Sequence, residues 1–245
     1  MPTVLIIQPD AEDPPGRIQS HLEQEGCDVR VVRPFAGDTI PRELREEALV
    51  VLGGDMSAND VAEYPWLADI MALLRRTVRT ATPALGICLG GQLLAASLGG
   101  RVERGAAGME AGVVEVRPRQ AARTDDLFGD LPWPLRMVTM HRDAITALPA
   151  DAVWPADSEL YGHQAFRVGS AAWGVQFHPE ASPAMYRAWV TYVKDTGEAL
   201  RRVVDGVAAV ERHEGQVDIG AEALARSFAR IVKCGDSSRD PRSES

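Results

Sequence analysis

"PALGICLGGQ", Pro83 to Gln92, sets a cysteine among glycines directly after a short apolar run. The run Pro83–Ile87 reads as a buried strand, and Gly90–Leu98, closed by Gly99-Gly100, reads as a helix. A strand followed at once by a helix is the repeating unit of a parallel α/β sheet. Cys88 sits at the carboxyl end of that strand, where open α/β sheets place their ligand sites. Two readings follow. Cys88 is a small buried residue at a tight turn, as many free cysteines are. Or it is a nucleophile on a strained elbow, with sulfur in place of the serine oxygen of G-x-S-x-G. Glycines let the backbone turn sharply and a substrate approach closely, and a helix N-terminus favours thiolate.

The same rhythm extends outward in both directions. Thr3–Gln8 is apolar and β-branched and runs into a loop with Pro9, Pro14, Pro15 and Gly16. Gly16–Gly26 reads as a helix, Cys27–Val32 as a second strand, and Ala48–Leu52 as a third that ends in Gly53-Gly54. Pro65–Arg79 carries Leu67, Ile70, Met71, Leu74 and Val78 at helical period. After Gly100 the pattern changes to strand-like runs: Val113–Val116, Leu135–Met140, Ala144–Ala147, Gln164–Val168 and Ala172–Phe177. The expected fold is α/β, a parallel sheet with helices on both faces and a small antiparallel extension. Pro183 opens a further helix bearing Met185, Trp189 and Val193.

Two helical stretches follow, Leu200–Val210 and Ala221–Val232. The division expected is a catalytic unit over 1–194, a helical C-terminal appendage over 195–234 and a disordered polar tail over 235–245. The apolar face of Leu224, Phe228 and Ile231 is expected to pack on the protein's own core, with a homodimer or partner surface as the alternative.

Composition narrows the class. The chain has 245 residues and a formal net charge of -9, which argues against nucleic acid and anionic membrane as partners. No apolar run approaches the ~20 residues that span a bilayer, and the N-terminus lacks a signal-peptide pattern, so the cytoplasm is expected. Three widely spaced cysteines, Cys27, Cys88 and Cys234, form neither a disulfide framework nor a CxxC pair.

A thiolate nucleophile needs a base, and the base needs an orienting group. Of five histidines, His21, His163 and His213 read as surface residues. His178 ends "AWGVQFHPE", with Glu180 two residues on. Pro179 favours extended backbone at His178, where i and i+2 share a side. Taken alone, this is equally a surface His–Glu pair of little worth. A zinc reading of His141, His178 and Glu180 fits no common motif spacing.

Taken together, "LGICLGGQ" (Leu85–Gln92) and "GVQFHPE" (Gly174–Glu180) change the reading. With "LGGDMSAND" (Leu52–Asp60), "YPWL" (Tyr64–Leu67) and "MHRDAITALP" (Met140–Pro149), in this order, the chain resembles the triad-type class I glutamine amidotransferase superfamily. It looks similar to the free-standing members that resemble the glutaminase domain of GMP synthase. The resemblance implies a flavodoxin-like sheet, no cofactor and no metal. It places the nucleophile at Cys88, the general base at His178 and the orienting acid at Glu180.

The resemblance also implies an oxyanion site built from the N–H of Leu89 and from Gly53-Gly54, chiefly Gly54. Gln92 falls where the family contacts the amino-acid end of its substrate. Met140, His141 and Arg142 match a loop beside that end, where His141 and Asp143 can also serve structure. Asp55 stands where many relatives have proline, which leaves the oxyanion loop less stiff and puts a carboxylate nearby.

Three functions are then open. One is a glutaminase that passes ammonia to a separate synthetase subunit, since neither a second catalytic domain nor a P-loop is visible. Another is an autonomous hydrolase of a γ-glutamyl amide or peptide. The last is a silent regulatory module, which the intact triad argues against.

Overall fold

In the computed structural model, which describes residues 1–237, the chain folds around one large mixed sheet. Strands β1 (Thr3–Ile7), β2 (Asp28–Val32), β3 (Ala48–Val51) and β4 (Ala84–Ile87) alternate with helices α1 (Gly16–Gln24), α2 (Trp66–Thr80) and α3 (Leu89–Ser97). Next come β5 (Arg101–Arg104), β6 (Glu110–Pro118), β7 (Leu135–His141), β8 (Asp143–Ala147), β9 (Val153–Asp157), β10 (Ala165–Val168) and β11 (Ala172–Val175). Helices α4 (Pro183–Tyr192) and α5 (Gly197–Ser237) close the chain.

The nine-stranded sheet runs β2-β1-β3-β4-β11-β10-β9-β6-β7, and β5 pairs with β8 in a separate ribbon. From β2 to β11 every pairing is parallel, and from β11 outward every pairing is antiparallel. This is the parallel core with an antiparallel extension that the sequence pattern implies.

Continuous apolar strands need cover on both faces. Val4, Ile6, Val50 and Leu85 share one core with Ile18 and Leu22 of α1. Leu5, Ile7, Leu49 and Val51 share the other with Leu67, Ile70 and Leu74 of α2 and Leu93 of α3. Alternate residues of one strand therefore enter opposite layers, as the period of 2 demands.

Two strands escape the sequence pattern. β5, "RVER", buries only Val102, and β9, "VWPAD", contains Pro155. Pro155 fits there because its carbonyl accepts the Arg119 N–H at 2.7 Å, while proline itself has no N–H to place.

The C-terminal region also differs from expectation. The two stretches Leu200–Val210 and Ala221–Val232 are parts of one helix, α5, because Val217 continues the buried stripe between them. Val203, Val210, Val217, Leu224, Phe228 and Val232 are all buried along it. Gly235–Ser237 continue this helix where a tail was expected, and 238–245 lie outside the described residues. Leu224 and Phe228 share the core of Val4 and Leu85, with Leu127 and Phe128 among its members. The Ala221–Val232 face is thus occupied by the protein's own core. Phe228→Ala is expected to cost about 3–5 kcal/mol, measured as a lowered urea midpoint at unchanged m.

Candidate active site

β4 and β11 are parallel neighbours, so their carboxyl ends meet at one edge. The Cys88 N–H donates to the Val175 carbonyl at 2.8 Å, which joins the two strand ends directly. Cys88 then takes φ 48°, ψ −106°, a conformation that non-glycine residues seldom adopt. This turns the chain from strand into α3 within one residue. The close approach needs glycine: a Cβ on Gly90 would lie 2.2 Å from the Val51 carbonyl oxygen, and one on Gly86 would lie 2.4 Å from the Gly90 oxygen. The elbow is therefore strained at Cys88 and relieved at its glycines.

Cys88 is 6% exposed and lines an open cavity of about 580 Å³. Leu89 opens α3, so its N–H lies in the first turn, where no intrahelical acceptor exists. The Gln176 amide donates to Cys88 Sγ at 3.6 Å. A side-chain donor thus reaches the sulfur of the residue that immediately precedes the first turn of α3.

His178 follows β11 and is buried. Its backbone N–H donates to Val138 at 2.8 Å, pinning it to β7. Its Nδ1 is 2.6 Å from Glu180 Oε1, and its ring lies 4.7 Å from Trp189 of α4. The route to this pairing differs from the expected one. β11 ends at Val175, and a turn in which the Ala181 N–H reaches the His178 carbonyl at 3.3 Å brings Glu180 to the imidazole. Burial opposes charge on His178, but the Glu180 carboxylate and the Cys88 sulfur outweigh it and hold its pKa well above the usual value. His178 Nε2 has no hydrogen-bond partner among the described residues and is the nitrogen left for the sulfur and a substrate.

Opposite the elbow stands the loop after β3. The Asp55 N–H donates to Asp10 Oδ2 at 3.0 Å, while Asp10 Oδ1 accepts the Glu12 N–H at 3.1 Å. Asp10 thereby ties the β3 loop to the β1 loop. Gly54 lines the cavity beside Cys88. The Asp55 carboxylate is turned toward Arg142, which also donates to Asp195 Oδ2 at 3.0 Å. One guanidinium thus clasps the β3 loop, the β7–β8 corner and the segment after α4. Arg142 and Asp10 together tether this loop from its side-chain and its backbone side.

The remaining predicted residues divide into cavity wall and brace. Met140 lines the cavity. Gln92 also lines it, but its Nε2 donates to the Asp143 carbonyl at 3.0 Å and lies 3.3 Å from Gln176 Oε1. His141 has Nε2 at 2.8 Å from Glu110 Oε2 and Nδ1 at 2.9 Å from the Asp143 carbonyl, so both nitrogens are engaged. Glu110 is also held by Ser158 and Gln164. His141 thus braces the corner through both ring nitrogens and also lines the cavity, as do Arg142 and Asp143.

Sequence reasoning missed Asp10, Asp13 and Gln176. Gln176 lay within a recognised motif; the two aspartates stood in a polar loop with no period to mark them. Among the described residues, the one cluster with metal-ligand side chains close together is Asp13, His178 and Glu180, whose donor atoms lie within 4.8 Å of one another. It does not include His141.

Comparison with known proteins bears on the family and the fold. The family model described as glutamine amidotransferase class-I matches residues 16–191. The chain is 31% identical over 174 residues to a glutamine-hydrolysing GMP synthase subunit of Halobacterium salinarum, covering 67% of this chain and 87% of that protein. It is 29% identical over 127 residues to gamma-glutamyl peptidase 5 of Arabidopsis thaliana, covering 51% of each. The crystal structure of a glutamine amidotransferase from Thermotoga maritima superposes with a TM-score of 0.81 at 29% identity, over 94% of this chain and 97% of that one.

Proposed function

Since the chain belongs to the class I glutamine amidotransferase family, we propose that it hydrolyses the γ-carboxamide of glutamine through a Cys88-linked γ-glutamyl thioester. The observation that carries this reading is the convergence at one cavity of the strained Cys88 elbow and the buried His178–Glu180 pair.

Cys88 thiolate attacks the γ-carbonyl carbon, and the oxygen becomes an oxyanion facing the Leu89 and Gly54 N–H groups. His178 gives its Nε2 proton to the leaving nitrogen, and the C–N bond breaks to release ammonia. His178 then takes a proton from water as the water attacks the thioester; the C–S bond breaks, glutamate leaves, and the Cys88 thiolate is restored beside a protonated His178. Gln92 and the Met140–Arg142 corner would line the side that holds the amino-acid end. No cofactor or metal is needed for these steps. Similarity to one subunit of a glutamine-hydrolysing GMP synthase supports delivery of the ammonia to a separate synthetase partner.

A second reading has its own support. The cavity, about 580 Å³, is of the size that holds ligands larger than a free amino acid, and one relative is a gamma-glutamyl peptidase. In that reading the leaving group is a larger amine and no partner is required. Comparison of kcat/KM for glutamine, γ-glutamyl amides and γ-glutamyl dipeptides on the isolated protein separates the two. Glutamine is expected to be hydrolysed slowly, and no bulky compound much faster. A hundred-fold preference for a bulky compound, about 2.7 kcal/mol in the transition state, would replace the glutaminase with an autonomous hydrolase.

The Asp10 tie gives a further test. Asp10→Ala frees the Asp55 N–H and loosens the loop without removing an oxyanion donor. We expect kcat to fall about tenfold with a smaller change in KM, short of the ~10²–10³ that follows loss of a donor itself. Steady-state kinetics on the best substrate checks it.

A further inference from the structure

Asp13 has no part in the chemistry described so far, yet it lies against its centre. It stands in the loop between β1 and α1, is 7% exposed and lines the cavity beside Cys88 and His178. One of its carboxylate oxygens is within 4.8 Å of an imidazole nitrogen of His178 and of a Glu180 oxygen. Gly53 explains how it fits. A Cβ there would lie 2.4 Å from Asp13 Oδ2 and 2.9 Å from His178 Cε1, so the carboxyl and the Cε1 edge of the ring converge over a residue with no side chain. Glu180 holds Nδ1, Trp189 packs beside the ring, and Asp13 closes the Cε1 side.

We infer that Asp13 is a positioning residue of the catalytic apparatus, a second carboxyl beside His178 whose charge sets how far into alkaline pH the imidazole keeps its proton. The inference rests on the reading of Cys88, His178 and Glu180 as the reacting triad.

The charged surroundings support it. Asp10 and Glu12 share its loop, His178 and Glu180 face it from the turn after β11, and Cys88 lies across the cavity. From α4 comes Trp189, whose indole N–H donates to the Glu12 carbonyl at 2.8 Å. From the β3 loop comes Asp55, which is turned to Arg142. Burial drives the Asp13 carboxyl toward its neutral form, His178 opposes that, and Glu180 and Asp10 reinforce it, so its pKa stands at about 7. Below that pH Asp13 is a neutral neighbour of the ring. Above it the carboxylate faces an imidazolium, and charge on the ring persists to higher pH.

The test follows the reactivity of Cys88 with pH, because that readout does not depend on the substrate. Rates of Cys88 alkylation by iodoacetamide, located by mass spectrometry, are measured from pH 5 to 10 for the wild type and Asp13→Asn, together with kcat/KM. The alkaline limb of kcat/KM is expected to move down by about one unit or more in Asp13→Asn. The alkylation profile should lose an inflection near neutral pH. Identical profiles in the two proteins overturn the inference. Absence of selective Cys88 labelling in the wild type overturns the triad reading instead. If Asp13→Asn does not fold, the wild type alone decides. The His178 Cε1–H resonance should then titrate in two steps, one near neutrality, and a single step counts against Asp13.

Discussion

Cys88→Ala is expected to lower kcat/KM toward γ-glutamyl substrates by about 10⁴–10⁶-fold, the cost of removing the nucleophile of a triad that acts as a unit. Its folding should be little affected, since the side chain lost is small. The effect should be confined to Cys88 among the three cysteines. Cys27 is buried before β2, where burial pushes its thiol up and leaves it protonated. Cys234 is exposed near the end of α5, far in sequence from any glycine elbow. Only Cys88 combines a positive φ, a helix N-terminus and the Gln176 donor. A glutamine-derived electrophile such as diazo-oxo-norleucine should therefore form its adduct on Cys88. An adduct on Cys27 or Cys234 with none on Cys88 would remove the nucleophile assignment, and with it the thioester.

The elbow was legible because it is local. Its strand, its glycines and its helix are contiguous, so Pro83–Gln92 contains nearly all that fixes the cysteine's geometry. The partnership of His178 with Cys88 is not local. It depends on β11 lying beside β4, a pairing across about ninety residues that periodicity does not report. The expected i, i+2 argument reached the right pair for Glu180, although the backbone there turns and does not run extended.

Asp10 and Asp13 show where such reading stops. A carboxylate in "QPDAEDPPG" looks like any solvated loop residue. Its function depends on which loop arrives opposite, here the one after β3. Likewise Asp55 looked like a threat to an oxyanion site, and only its placement against Arg142 turns it into a tether. Short or mixed strands such as β5 and β9 failed for a related reason. Their pairing partners, and not their own residues, hold them in the sheet.

His178→Ala should be as damaging as loss of Cys88, about 10⁴-fold or more, because the proton carrier and the partner of the thiolate vanish together. Glu180→Gln should fall short of that, near 10²–10⁴-fold, and leave measurable turnover. Glu180 Oε1 accepts from Nδ1 at 2.6 Å, and Oε2 is buried with no partner among the described residues. An amide there has two placements. With oxygen toward Nδ1 the ring keeps its tautomer, but an N–H₂ is buried at the Oε2 position without an acceptor. With nitrogen toward Nδ1 the ring must present a lone pair, and Nε2 then carries the proton when it should accept one. Either way the carboxylate charge that raises the His178 pKa is gone, so the imidazolium is lost at lower pH and the alkaline limb of kcat/KM moves down. Steady-state profiles of both variants between pH 5 and 10 read this directly. Equal and complete loss in both would mean that Glu180 does more than hold the ring. Full activity in both would take the triad out of the mechanism.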